Sequence, residues 1–199
     1  TKVLHQAATN NWKRIAITSP DTGTGKSVTS ANLAFCLARQ PDIRTIAFDF
    51  DFRRIGLSKA LDQHPDHNMA DVLEGRIQFH DHALRYGDRL AFGLNNGPVR
   101  HSSEILQSRK TSEILDAIEE EFDPDIMLFD LPPMMATDDN FGFLKYVDCA
   151  LIVAGAEKTS LDKIDVAERQ VAEITNVMGI VLNKCRYFDG AYGYEYGYY

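Results

Sequence analysis

The chain alternates short, strongly apolar runs with amphipathic segments whose apolar residues recur at helical spacing. The apolar runs predict strands at 15–18, 45–50, 90–94, 126–129, 150–154 and 179–182. The amphipathic segments predict helices at 26–40, 111–122, 139–146 and 160–174, with short helical pieces at 57–61, 69–73 and 102–107. Residues 1–13 are polar and favour no element.

Strands alternate with helices along the whole chain, and each strand is too apolar to be half exposed. That pattern is typical of a parallel sheet with both faces covered by helices. We therefore expect an α/β fold of three layers with a mostly parallel central sheet. Residues 1–186 are predicted to form one domain.

Composition narrows the possible partners. The 199 residues are 44% hydrophobic and carry a net charge of −8, with no long basic run. An acidic chain of this kind is a poor candidate for gripping nucleic acid through its own surface, so we expect no nucleic-acid partner. No apolar run reaches the length of a membrane span.

Residues 19–27 read S-P-D-T-G-T-G-K-S and lie between the first strand and the first long helix. A glycine loop in that place lets backbone N–H groups turn towards a phosphate, and the helix N-terminus adds unpaired donors. Lys26 would reach the β- and γ-phosphates, and the Ser27 hydroxyl would bind Mg²⁺. The alternative is a glycine turn that only caps a helix. The predicted nucleotide-binding residues are Asp21, Thr22, Gly23, Thr24, Gly25, Lys26, Ser27 and Val28.

Three aspartates follow two of the predicted strands. Asp49 and Asp51 end the second strand and Asp130 ends the strand at 126–129, at the edge where ligands sit in a parallel sheet. They could surround one Mg²⁺ and the γ-phosphate, and one could accept a proton from an attacking hydroxyl. Alternatively, they only cap strand ends. Asn183 has an amide that could read an adenine edge, although an Asn at a strand end is commonly a turn residue.

Residues 187–199, Y-F-D-G-A-Y-G-Y-E-Y-G-Y-Y, hold six of the eight tyrosines. Interleaved glycine and the lack of aliphatic residues favour a flexible tail. A sticky low-complexity segment with no substrate role is the alternative.

Taken together, these motifs resemble the bacterial tyrosine kinases (BY-kinases) of polysaccharide export and capsule synthesis. S-P-D-T-G-T-G-K-S resembles their Walker A motif, residues 46–54 (I-A-F-D-F-D-F-R-R) their Walker A′ motif, and residues 126–133 (I-M-L-F-D-L-P-P) their Walker B motif. The tyrosine cluster resembles their autophosphorylation tail. The resemblance implies a P-loop NTPase fold, an ATP-dependent protein-tyrosine kinase, and ATP and Mg²⁺ as cofactors.

The same resemblance implies a role for each matching residue. The implied catalytic residues are Lys26, Asp49, Asp51 and Arg53, with either Asp49 or Asp51 as the general base. The implied metal-binding residues are Ser27, Asp49 and Asp130, and Asn183 joins the nucleotide-binding set. The implied phosphoacceptors are Tyr187, Tyr192, Tyr194, Tyr196, Tyr198 and Tyr199.

The implied partners are neighbouring copies in a ring, each tail entering a neighbour's site in trans. A transmembrane activator, fused upstream or separate, would hold the protein in the cytoplasm at the inner face of the cell membrane, and a tyrosine phosphatase would reverse the reaction. The role would be regulation of exopolysaccharide or capsule synthesis and export. A partition- or division-type ATPase switch is the alternative, but Asp21 stands where those proteins carry a second lysine.

The chain departs from the BY-kinase pattern in three places. Thr22 and Ile55 each replace a proline, and the N-terminal E-x-x-R-x-x-R oligomerisation helix is absent.

Overall fold

The computed structural model describes residues 2–136 and 139–186. Within these residues the strands are β1 (Arg14–Thr18), β2 (Thr45–Asp49), β3 (Leu84–Tyr86), β4 (Leu90–Gly93), β5 (Ile126–Asp130), β6 (Cys149–Gly155) and β7 (Asn176–Asn183). The α-helices are α1 (Lys2–Asn10), α2 (Lys26–Ala38), α3 (Gly56–Ala60), α4 (Met69–Leu73), α5 (Phe79–His82), α6 (Ser102–Gln107), α7 (Arg109–Phe122), α8 (Asp139–Phe143) and α9 (Leu161–Ala172). A 3₁₀ turn covers Leu144–Tyr146.

The strands form one sheet in the order β3-β4-β2-β5-β1-β6-β7. All neighbouring pairs are parallel except β3 and β4, which are antiparallel. Separate hydrophobic clusters cover the two faces. The predicted three-layer α/β fold is therefore confirmed, and its parallel strands direct their carboxyl ends to a common edge.

Several local features differ from the sequence prediction, among them the short helix α5, which was not predicted. Helix α1 was not predicted, because its polar composition hides a contact surface made by the buried Ala7 with Val3 and Leu4 beside it. Strand β3 was missed because three residues are too short to show a periodic pattern. The helix expected at 139–146 ends at Phe143, and the 3₁₀ turn continues it.

Alternation along β2 and the residues after it separates aromatic from acidic side chains. Phe48, Phe50 and Phe52 all belong to the hydrophobic cluster on one face of the sheet. Successive side chains of an extended segment point to opposite faces, so Asp49 and Asp51 lie on the other face. Helix α2, which begins at Lys26, packs on that second face. The F-D-F-D-F sequence thus directs both carboxylates towards the phosphate loop.

The aromatic face forms a closely packed support beneath these aspartates. Phe48 and Phe129 stack with ring centroids 5.1 Å apart. Phe143 approaches Phe50 edge-on at 5.0 Å, and its ring is tilted against that of Phe129 at 5.1 Å. Such pairs contribute beyond the burial of area alone. Because Phe129 directly precedes Asp130, this packing also holds the end of β5 in place.

We expect Phe129→Ala to lower the free energy of unfolding by about 3–5 kcal/mol, because it leaves a cavity among fully buried rings. Urea denaturation followed by circular dichroism measures the change. Leu161→Ala is the matched control, since that side chain is 82% exposed and should change stability by less than about 0.5 kcal/mol. Equal losses for both variants would contradict the proposed packing.

Candidate active site

The phosphate loop joins β1, a central strand of the sheet, to helix α2. Gly23 and Gly25 have φ values of +71° and +88°, a left-handed conformation that glycine adopts without strain. A Cβ at Gly25 would lie 2.3 Å from Asn183 Nδ2. Glycine is therefore required at this position both for its backbone conformation and for the close approach of β7.

The loop borders a cleft of about 370 Å³ at the carboxyl edge of the sheet. All eight residues of the predicted nucleotide-binding segment 21–28 line this cleft, together with Asp51, Arg54, Gly56 and Lys59. Asp49 and Asp130 are 0% and 1% exposed and lie among the buried residues. The structure therefore brings the separate sequence motifs to one place, and Asp51, although only 3% exposed, is the one of the three aspartates that lines the cleft.

Lys26 is the cation buried among the aspartates. Its side chain is 6% exposed, and Nζ lies 2.8 Å from Asp130 Oδ1 and 3.9 Å from Asp51 Oδ2. The hydroxyl of Ser30, one helical turn after Lys26, also donates to Asp130 Oδ1 at 2.8 Å. These contacts hold Asp130 and the lysine in register before any ligand arrives.

Asp49 and Asp130 are direct neighbours across the β2–β5 pair. Ser58 holds Asp49 from the other side, donating to its Oδ2 from the backbone N at 3.0 Å and from the hydroxyl at 2.9 Å. The second oxygens of the pair, Asp49 Oδ1 and Asp130 Oδ2, are buried and have no hydrogen-bond partner among the described residues. Two such oxygens on adjacent strands are suited to a shared cation.

Three aspartates lie near one lysine, and the pKa values of two of these aspartates are raised. Burial, with the nearby Asp130 carboxylate as the second cause, raises the pKa of Asp49 to about 7. Burial also raises the pKa of Asp51, although Lys26 opposes the shift. Burial among carboxylates therefore makes it harder for Asp49 and Asp51 to lose their protons than for an exposed aspartate.

The residues present fit a magnesium ion. The backbone of Gly56 lies against Ser27, because a Cβ there would be 2.2 Å from Ser27 Oγ and 3.6 Å from Asp130 Oδ2. This places the serine hydroxyl near the unpartnered carboxylate oxygen. Mg²⁺ commonly uses one or two carboxylates with phosphate oxygens and water. Within residues 2–136 and 139–186, no group of three or more His, Cys, Asp or Glu side chains is arranged to hold a metal ion. A magnesium ion at this site would therefore also need phosphate oxygens or water as ligands.

Two predicted site residues lie away from the centre of the cleft. Arg53 is exposed and does not line the cleft in the described structure, whereas Arg54 does. Asn183 lies against the phosphate loop, where its Nδ2 donates to the Thr24 carbonyl at 2.9 Å. The six predicted phosphoacceptors, Tyr187, Tyr192, Tyr194, Tyr196, Tyr198 and Tyr199, lie outside the described residues.

Sequence reasoning missed Ser30 and Ser58. Ser30 follows Lys26 by four residues on one helix, a spacing that indicates a shared face. Ser58 lies only nine positions after Asp49, but no periodic pattern links the end of a strand to the helix that follows it. Only the tertiary structure shows that residues 50–55 turn α3 back towards Asp49.

A strand, a glycine loop with a buried lysine and a helix, at the carboxyl edge of a parallel sheet, define a phosphate-loop nucleotide-binding domain. The pattern of the CobQ/CobB/MinD/ParA nucleotide-binding domain matches residues 15–190, and the chain belongs to this family.

The relatives of known name support the expected resemblance. The chain is 29% identical over 189 residues to the tyrosine-protein kinase ptk of Acinetobacter johnsonii, covering 94% of this chain and 25% of that protein. It is 25% identical over 201 residues to the tyrosine-protein kinase YwqD of Bacillus subtilis, covering 100% of this chain and 82% of that protein. The resemblance to bacterial tyrosine kinases predicted from the motifs is thus confirmed.

A solved structure agrees with the fold. The kinase domain of the Escherichia coli tyrosine kinase ETK superposes with a TM-score of 0.80 at 23% identity, covering 98% of this chain and 76% of that one. The chain spans about a quarter of the length of ptk. In the part of the chain that the structure describes, every helix is too short or too polar to cross a membrane.

We expect Asp49→Asn to stabilise the nucleotide-free protein near neutral pH. The folded state binds the Asp49 proton more tightly than the unfolded state does. The protonated carboxyl therefore contributes its full stability below about pH 4, and this contribution is lost as the pH rises to about 7. Asparagine keeps the contact with Ser58 and carries no charge. The free energy of unfolding of the variant should therefore be higher by on the order of 2–4 kcal/mol at pH 7 and by little at pH 4.

Urea denaturation at several pH values measures this difference. Asp162→Asn, at the exposed start of α9, is the control and should change little. A gain for Asp49→Asn that is the same at pH 4 and pH 7 would contradict the assigned cause.

Proposed function

We propose that the chain is an ATP- and Mg²⁺-dependent protein-tyrosine kinase, and that its substrate is the tyrosine cluster at 187–199 of a neighbouring copy. The observation that carries the proposal is Asp51, a carboxylate with a raised pKa that lines the phosphate-loop cleft beside Lys26. A hydroxyl substrate needs a base at this position, because a tyrosine with a pKa of about 10 is a poor nucleophile at neutral pH.

Asp51 is the better candidate for the base, and Asp49 for the metal ligand. Asp51 is only 3% exposed, but it lines the cleft, from which an incoming tyrosine hydroxyl would approach it. Asp49 is completely buried, and its free Oδ1 belongs to the same pair as the free Oδ2 of Asp130. Together with the Ser27 hydroxyl, those oxygens would hold Mg²⁺, which neutralises charge on the phosphates.

The residues then have distinct roles in phosphoryl transfer. Asp51 takes the proton from the tyrosine hydroxyl as its oxygen attacks the γ-phosphorus. The bond from the γ-phosphorus to the β–γ bridging oxygen breaks, and ADP leaves. Lys26 and the N–H groups of the loop stabilise the charge that moves onto the phosphate oxygens. Arg53, which is exposed, would act from the rim on the incoming tail or its phosphate.

Asp21 favours a kinase over a partition-type switch. It occupies the place of those proteins' second lysine, and its carboxylate accepts a 2.8 Å hydrogen bond from Lys163. Neighbouring copies in a ring, a transmembrane activator and a tyrosine phosphatase complete the proposal. The protein would work in the cytoplasm at the inner membrane face and regulate exopolysaccharide or capsule production.

Mixing two variants tests transfer between chains. One variant, Lys26→Met, keeps the tail and loses the phosphate-binding cation; the other keeps the site and has all six tail tyrosines replaced by phenylalanine. After incubation with Mg²⁺ and ATP, phosphosite mapping should find phosphotyrosine on the Lys26→Met chain. Each variant alone should stay unlabelled.

Absence of label in that mixture, while the unaltered protein labels its tail, would show transfer within one chain. Absence of phosphotyrosine in the unaltered protein despite ATP binding would contradict the kinase proposal. ATP hydrolysis stimulated by DNA or lipid would then favour the switch.

Separate substitutions of Asp51 and Asp49 test their different roles. We expect Asp51→Asn to lower kcat by about 10²–10⁴-fold with little change in the affinity for Mg²⁺ and ATP, because only the base is lost. Asp49→Asn should mainly raise the Mg²⁺ concentration needed for half-maximal rate. Steady-state kinetics across a Mg²⁺ titration measure both, and the reverse pattern would exchange the two assignments.

A further inference from the structure

A second cavity lies at the amino edge of the sheet, on the side of the molecule opposite the phosphate loop. It has a volume of about 360 Å³ and is bordered by the start of β2, the β3–β4 hairpin and the end of α7. It shares no lining residue with the phosphate-loop cleft. The phosphoryl transfer described above therefore makes no use of it.

Strand pairing gathers three arginines around this cavity. Ile46 is the neighbour of Ala91 in the parallel β2–β4 pair, and Ala91 lies opposite Arg85 in the antiparallel β3–β4 pair. Residues paired in this way place their side chains on the same face of a sheet. Arg44 and Arg89 come directly before β2 and β4, and all five residues line the cavity.

Two of the three arginines have no counter-ion. Arg44 Nη2 pairs with Asp123 Oδ2 at 2.5 Å. Arg85 and Arg89 are exposed, and their side chains form no hydrogen bond or ion pair with any residue in the part of the chain that the structure describes. Two guanidinium groups at one cavity are thus available to an anion.

The carboxylates at this cavity leave those two groups uncompensated. Asp88 and Glu121 also line it, but within residues 2–136 and 139–186 neither comes within ion-pair distance of Arg85 or Arg89. Glu121 Oε1 instead lies 3.6 Å from His80 Nδ1. The cavity therefore presents positive charge on a chain whose net charge is −8.

The remaining wall of the cavity is apolar. Ile46 is 3% exposed, Pro124 is buried, and Ala83, Ala91 and Phe122 are half-buried. A wall of this kind binds a flat apolar group, whereas guanidinium groups bind phosphate oxygens in pairs. Together they fit a ligand that carries a phosphate on an aromatic ring.

We propose that this cavity binds phosphotyrosine side chains from the tail of a neighbouring copy, with Arg85 and Arg89 on the phosphate and Phe122 and Ala91 against the ring. The inference rests on the proposed function, because that reaction supplies the phosphotyrosine. It adds a site for the product at the edge of the sheet opposite the reaction.

The position of β7 favours the tail of a neighbour over the tail of the same chain. Five strand spacings separate β7 from β4, about 24 Å, and a five-residue strand adds about 16 Å between the two edges of the sheet. The thirteen residues 187–199 span at most about 45 Å when fully extended. A chain's own tail would need nearly all of that length to follow the surface, whereas a neighbour's tail has no such limit.

Synthetic peptides of residues 187–199 test the site on the full chain with all six tail tyrosines replaced by phenylalanine. Fluorescence anisotropy gives the Kd of three peptides: unmodified, phosphorylated at Tyr194, and with phosphoserine in place of Tyr194. Phosphotyrosine should bind about 10-fold or more tightly than unmodified tyrosine, because the phosphate pairs with guanidinium groups. Phosphoserine should bind with intermediate affinity, because it lacks the ring.

Substitutions at the rim locate the binding. Arg85→Gln and Arg89→Gln should each weaken the phosphotyrosine peptide by about 5- to 20-fold and leave the unmodified peptide unchanged. Asp88→Asn should strengthen it by about 2- to 3-fold, because a negative charge near the phosphate is removed. Arg100→Gln is the matched control: Arg100 is exposed and lines neither cavity, so the affinity should stay the same.

The phosphate-loop cleft is the competing place for a phosphate, and nucleotide distinguishes the two. Saturating Mg²⁺–ADP should leave the affinity for the phosphotyrosine peptide unchanged. Displacement by Mg²⁺–ADP, with no effect of Arg85→Gln or Arg89→Gln, would place the peptide in the reaction cleft and overturn the inference. With the tail tyrosines restored, both arginine variants should still label the tail at the normal rate.

The outcomes also separate this inference from the proposed function. If the three peptides bind equally while the unaltered chain labels its tail, the inference fails and the proposed function stands. If the phosphotyrosine peptide binds through Arg85 and Arg89 but the unaltered chain never forms phosphotyrosine, the proposed function fails. That result would overturn the tail as the ligand and support a site for aryl phosphates made elsewhere.

Discussion

The centre of this protein is an imbalance of buried charge: three aspartates surround one lysine ammonium. Lys26 pairs closely with Asp130 and more distantly with Asp51, while Asp49 depends on Ser58. Burial with an excess of carboxylates raises the pKa of Asp49 and of Asp51. A divalent cation would supply the missing positive charge and use the two unpartnered carboxylate oxygens, and it would also attract the negative charge of a polyphosphate.

The two faces of the sheet have different roles, and packing on one of them offsets the unfavourable burial of like charges on the other. One face is an aromatic cluster that includes Phe48, Phe50 and Phe129, and it stabilises the chain by burial and ring packing. The other face carries the acidic residues against α2. The alternation along β2 thus holds the Asp49 carboxylate on the closely packed core, where its position opposite Asp130 is set by strand register.

The two sides of the phosphate loop also have different roles. Its inner surface must present N–H groups to an anion, so its carbonyls face outward and need partners of their own. Asn183 and Lys184 supply those partners from the neighbouring part of the sheet. The conformation of the loop therefore depends on residues at the end of β7 as well as on its own motif, although that motif is continuous in sequence.

By itself, the sequence determined the order of the longer strands and of most of the longer helices, the parallel sheet and the phosphate loop, because apolar runs, helical periodicity and glycine spacing are local signals. It also placed Asp49, Asp51 and Asp130 at one edge, since parallel strands share a direction. Only the tertiary structure decided that Asp51 lines the cleft, that Asp49 is buried against Ser58, and that Asn183 holds the loop. Those outcomes depend on how the chain turns after β2 and on a contact between residues 159 positions apart, and no periodic pattern in the sequence encodes them.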